Sequence, residues 1–172
     1  MSIEPDLKDW TWVLERPCRE CGFDAGRVDV RTASDRVAEM VPSWQAVLAR
    51  PEATERPDAS TWSPAEYACH VRDVHVLFAE RIGLMLAEDD PRFANWDQDV
   101  TAVEQRYDLQ DPLVVAGELA AAADDMAAAL RAVPDDAWER PGRRSNGSRF
   151  TVRTLVLYFL HDVEHHLVDV GA

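Results

Sequence analysis

At 172 residues, with 47% apolar and 29% charged side chains, the chain is the size of one ordinary domain and can bury a real core. Its 32 acidic against 18 basic residues give a formal net charge of −14, which repels phosphate backbones and anionic lipid and argues against nucleic-acid or membrane partners. No apolar run approaches the roughly 18 residues of a bilayer span, and "MSIEPDLKDW" lacks both regions of a signal peptide.

The expected location is therefore cytoplasmic, where three cysteines stay reduced. Residues 1–28 read as an irregular N-terminal arm bearing the CxxC pair Cys18 and Cys21. Residues 29–172 read as an all-α, up-down four-helix bundle.

The first helix is predicted from about Asp29 to Ala49, with Val30, Val37, Met40, Val41, Trp44 and Leu48 at helical spacing and Pro42 expected to kink or split it. The second opens at "STWSPAEYACHV", where Ser63 is a good N-cap, Pro64 takes the first helical position and Glu66 closes a capping box. It should run to about Ala87. The third starts at Asp111-Pro112 and passes through an alanine-rich stretch to about Ala132. The fourth starts after Thr151 and runs nearly to the C-terminus. None of the four alternates like a strand, and "RPGRRSNGSR" at 140–149 reads as a Gly/Ser loop. The link from Glu88 to Gln110 exceeds the roughly 12–15 residues beyond which loops in compact domains are usually functional. Its "FANWDQDVTAVEQRY" segment is expected to hold a short helix.

The last helix contains "YFLHDVEHHL". On a helical wheel Val152, Val156, Phe159, Val163, Leu167 and Val170 form an aliphatic stripe opposite His161. Thr154, Leu157, Tyr158, His165 and Val168 make the histidine side largely apolar too, so both sides are expected to be covered. His161 and His165 lie one turn apart, the spacing of an HxxxH metal pair, which needs a third ligand. His70 shares a helix face with Tyr67, Val74 and Leu77 and points inward. His75 is about 140° away from it and His166 turns toward the edge of the stripe. The candidate is a three-histidine site of His70, His161 and His165, with Asp162 or Glu164 as an outer partner. In the "NWDQD" loop, Trp96 is expected to cover the ion, and Asp97 or Gln98 to orient a substrate or act as a base. The structural alternative makes Trp96 a loop anchor and Asp97 a helix cap.

These features resemble the DinB-like family of metal-dependent four-helix proteins. The resemblance rests on "WSPAEYACHV" with one histidine, the C-terminal HxxxH and a tryptophan-bearing loop between the second and third helices. It covers roughly residues 29–170. It implies a metal triad of His70, His161 and His165, holding zinc or nickel. The superfamily includes mycothiol-dependent maleylpyruvate isomerases and bacillithiol transferases. In the isomerases one ligand on the last helix can be a carboxylate, whereas both positions of this HxxxH are histidine. The implied function is activation or transfer of a low-molecular-weight thiol of mycothiol type, on a small-molecule substrate. The alternatives are metal-dependent hydrolysis of a small amide or ester, and a non-catalytic metal-binding bundle. A homodimer would cover the second apolar side of the last helix.

The arm segment "TWVLERPCRECGFDAG" carries the CxxC pair followed by Gly-Phe, as in one knuckle of a zinc ribbon. Cys69, the third cysteine, is expected inside the second helix as a small core residue. The arm's leading reading is free thiols on a segment packed by Trp10 and Trp12 near the metal cleft. A second metal site, which would need histidines or another subunit, and a redox pair are the alternatives.

Overall fold

The computed structural model describes residues 9–172. Four long helices make the bundle: α1 (Ala33–Leu48), α2 (Pro64–Ala87), α4 (Pro112–Arg131) and α5 (Val152–Asp169), with a short α3 (Gln98–Glu104) in the long link. The starts of α2, α4 and α5 follow the sequence signals, whereas α1 begins at Ala33, after a 3-10 turn over Val30–Thr32, and not at Asp29 as expected. Ser63 and Glu66 form the reciprocal capping box, Asp111 accepts from the N–H of Leu113, and Thr151 accepts from that of Thr154. Each satisfies a backbone donor that a helix start would otherwise leave orphaned.

α1 runs unbroken through Pro42. Pro42 and Ala38, the residue whose carbonyl loses its partner, are both exposed, so water replaces the missing hydrogen bond. α1 and α2 each pack against both α4 and α5, so the order around the bundle is not the order along the chain. Trp44, Ile82, Met85, Leu119, Met126, Leu155 and Phe159 fill the centre and are essentially solvent-free.

A small sheet closes one end. β1 (Arg92–Phe93) pairs in parallel with β2 (Pro141–Arg144), which pairs antiparallel with β3 (Arg149–Thr151). The stretch expected to be a Gly/Ser loop is thus a hairpin whose turn holds Gly147 at φ +100°. Two to four residues per strand are too few to show alternation, so the pattern was invisible in the sequence. A Cβ on Gly142 would sit 2.8 Å from Cγ and Sδ of buried Met85. Gly142→Ala should therefore cost about 1–3 kcal/mol, read as a lower urea midpoint with an unchanged slope.

The arm folds over α5. Two short 3-10 turns, Trp10–Leu14 and Ala25–Arg27, each begin at an aspartate that accepts the N–H two residues on. Val13, Cys18, Phe23 and Ala25 are buried, and the first turn packs on α5. This segment of the same chain covers α5 at His161 and His165, where Trp10 meets both rings, while Val168 on that side stays exposed. Arg50 closes the far end of α5 by donating to the carbonyls of Val170 (2.6 Å) and Gly171 (3.1 Å).

Candidate metal centre

α5 carries two interleaved i,i+4 pairs, His161/His165 and Asp162/His166. One residue of offset is about 100° of rotation, so the pairs face different neighbours. Asp162 and His166 look toward α2, where they meet His70. His161 and His165 look toward the arm, where they meet Cys18 and Cys21. Within each group, one ligand atom per residue can be chosen such that all lie within 4.8 Å of one another.

The histidines named from the sequence are therefore divided between two groups. His70 stands with Asp162 and His166, while His161 and His165 stand with the CxxC pair. Asp162, expected as an outer partner, stands among the candidate ligand atoms of the first group. Glu164, the other expected outer partner, is held by Arg36 of α1 at 2.6 and 3.0 Å. His166 and Asp162 have the same i,i+4 spacing as the HxxxH pair, and that spacing was the available signal for them.

In the first group His70 Nε2 lies 3.2 Å from Asp162 Oδ1, and His166 Nε2 lies 3.7 Å from the same oxygen. His166 Nδ1 is 2.7 Å from Asp169 Oδ2, so a carboxylate fixes the ring with Nε2 directed at the group. Burial alone would raise the Asp162 pKa, but the charge and hydrogen bond of His70, with His166 and His161 adding, bring it down to about 2. The group thus offers an ionised carboxylate and two imidazoles, a donor set that suits a divalent ion with a position left open.

Trp96 stacks on His70, with ring centres 5.4 Å apart and planes at 15°, and its Nε1–H donates to Thr101 at 2.8 Å. It covers the group and anchors the loop at once. Asp97 is the N-cap of α3, accepting from the N–H groups of Asp99 and Val100 through Oδ1, and it also borders the cleft. That cleft, about 710 Å³, is walled by Trp10, Trp62, Tyr67 and Trp96, by Asp162 and His166 of the first group and His161 and His165 of the second, by further carboxylates, and by Arg144. Trp10 lines the cleft on the arm that was expected beside it, whereas Trp62 and Arg144 carried no sequence signal, because the first link and the hairpin reach the cleft only in the folded chain.

In the second group Cys18 Sγ is 3.7 Å from His165 Nδ1, while His165 Nε2 faces Glu20 (3.4 Å) and Asp169 (3.7 Å). Burial, with His165 beside it, brings the His161 pKa down to about 4, leaving that ring neutral at pH 7. Burial pushes the Cys21 thiol up to about 11, the opposite of what a redox nucleophile needs.

His75 belongs to neither group. Its Nδ1–H donates to the Val71 carbonyl at 2.7 Å and its ring meets Phe159 edge-on. Burial lowers its pKa from 6.5 to about 4. The unfolded chain therefore takes up this proton first as pH falls. Stability is full above pH 6.5 and declines between 6.5 and 4, by about 3 kcal/mol from this one group. His75→Leu should remove one proton from the slope of stability against pH in that window, measured by denaturation at a series of pH values.

A family model described as the DinB superfamily matches residues 33–169. The chain belongs to the DinB superfamily. Cys18 and Cys21 precede the matched residues, whereas His70 and both pairs on α5 lie within them. The chain is also similar in fold to YfiT from Bacillus subtilis, described as "a probable metal-dependent hydrolase with an unusual four-helix bundle topology". The TM-score is 0.71 at 17% identity, over 83% of this chain and 85% of that one. No curated protein sequence matches the chain. Among the described residues no helix is long and apolar enough to cross a membrane.

Proposed function

We propose that this DinB-superfamily chain is a metal-dependent enzyme that takes its ion at His70, Asp162 and His166 and activates a low-molecular-weight thiol of mycothiol type for transfer to a small electrophile. The observation that carries this reading is the mixed imidazole–carboxylate group opening into a large aromatic and polar cleft. A divalent ion held by His70, Asp162 and His166 would lower the pKa of a thiol or water beside it toward neutrality.

The chain's own residues supply the rest. Asp169 orients His166, and Trp96 shields His70 from water on its stacked face. Trp10, Trp62 and Trp96 give flat apolar faces, while Asp9, Glu20 and Asp99 give acceptors for hydroxyl groups, a lining suited to a sugar-bearing thiol. Arg144 offers a cation for a carboxylate on the electrophile. The carboxylate at Asp162 also brings the ligand set closer to that of the mycothiol-dependent isomerases than an all-histidine site would be. A reducing cytoplasm suits the co-substrate.

The hydrolase description of YfiT supports a second reading, cleavage of a small amide or ester by water at the same ion. The deciding experiment incubates zinc- or nickel-loaded protein with a thiol and a panel of electrophiles, and separately with esters and amides, following products by mass spectrometry. Metal-dependent S-conjugates that vanish in His70→Ala are the expected result. Thiol-independent cleavage with the same dependence would establish hydrolysis instead. Neither product, with metal bound, would leave a non-catalytic metal-binding bundle.

A further inference from the structure

We propose that Cys18, Cys21, His161 and His165 form a tetrahedral zinc site that fastens the N-terminal arm to α5, separate from the group at His70. Zinc bonds of about 2.3 Å to sulfur and about 2.0–2.1 Å to nitrogen, at tetrahedral angles, place sulfur and nitrogen about 3.6 Å apart. The distance from Cys18 Sγ to His165 Nδ1 is 3.7 Å, and the four donor atoms all lie within 4.8 Å of one another.

Three further observations point at a cation. His161 Nε2 is buried with no hydrogen-bond partner, on a residue only 4% exposed. An orphaned imidazole nitrogen in such a place loses free energy unless something occupies it. The outward nitrogen of His165 faces two carboxylates, Glu20 and Asp169, the outer arrangement that orients a ligating histidine. The CxxC segment is shaped as a knuckle. Cys18 N–H donates to the Phe23 carbonyl at 2.8 Å and Gly22 N–H to the Cys18 carbonyl at 2.9 Å, with Gly22 at φ +77°. Only glycine takes that conformation without strain, and the turn brings both sulfurs to the same side.

Two thiolates neutralise a divalent ion, so the completed site carries no net charge into a region where Cys18, His161 and His165 are all buried. Soft sulfur with imidazole selects zinc over magnesium or calcium. Four protein ligands leave no open position, so the role is structural. The arm so fastened presents Asp9, Trp10 and Glu20 to the cleft, and the site thereby sets one wall of the neighbouring pocket. This inference does not rest on the thiol-transfer reading.

The test loads full-length protein with cobalt and records its absorption. A thiolate-to-cobalt charge-transfer band with tetrahedral ligand-field bands is expected in the wild type and in His70→Ala, and absent from Cys18→Ser/Cys21→Ser. In parallel, titrating unsubstituted zinc-loaded protein with a mercurial thiol reagent in the presence of a metallochromic indicator should release one zinc per chain as the two thiols react. This second arm stands even if the double variant fails to fold. Wild type without a thiolate band, or thiol modification that frees no zinc, would overturn the proposal. Loss of the band in His70→Ala as well would merge the two groups and overturn their separation.

Discussion

Asp162→Asn should lose more than about a hundredfold in metal affinity at the His70 group, and metal-dependent turnover with it, because the substitution deletes a charged ligand while keeping its shape. The carboxylate is held ionised down to about pH 2, so it offers its charge at every working pH. Asn keeps an oxygen within reach of His70 Nε2, now 3.2 Å from Oδ1, and the fold should survive. The check is metal titration by calorimetry beside product formation, with His161→Ala as the comparison. Turnover that persists in Asp162→Asn and disappears in His161→Ala would move the chemistry to the other pair on α5.

Stripping zinc with a strong chelator should lower the melting temperature by roughly 10 °C. Free zinc at about a thousandfold above its Kd stabilises the folded state by about 4 kcal/mol, and a chain of this size shifts by about 2–4 °C per kcal/mol. Most of that shift is expected from the proposed Cys18–Cys21–His161–His165 site, because two thiolates and two imidazoles hold zinc more tightly than a three-ligand group and the histidines join the thiols only in the folded chain. Scanning calorimetry with and without chelator should show the shift almost intact in Asp162→Asn and almost abolished in Cys18→Ser/Cys21→Ser. A wild-type melting temperature indifferent to the chelator would remove the staple.

The helices were legible because their ends carry chemistry in order: Ser63-Pro64 with Glu66, Asp111-Pro112, and Thr151 each mark a start that the structure keeps. The family was legible from one inward histidine on the second helix and a histidine-rich last one, and the match over residues 33–169 bears that out. What lies over each sector of α5 was not legible. A helical wheel gives the angle between His161 and Asp162, but not that the arm covers one and α2 meets the other. The sheet escaped for a different reason, since Arg92–Phe93 finds its partner about 50 residues away and has no local signature.

The contact between Cys18 and His165 closes 147 residues of chain. Closing a loop that long costs only about 2 kcal/mol more than closing one a tenth its length, so the thermodynamic penalty is slight. The kinetic one is larger. The arm leaves the ribosome well before the helix that receives it. While α1, α2 and α4 are being made, the two thiols of the arm lack the His161 and His165 beside which they stand in the fold. Joining the arm to α5 must therefore wait until α5 has been made, and a nascent chain halted before residue 165 is left with an incomplete set of the four side chains.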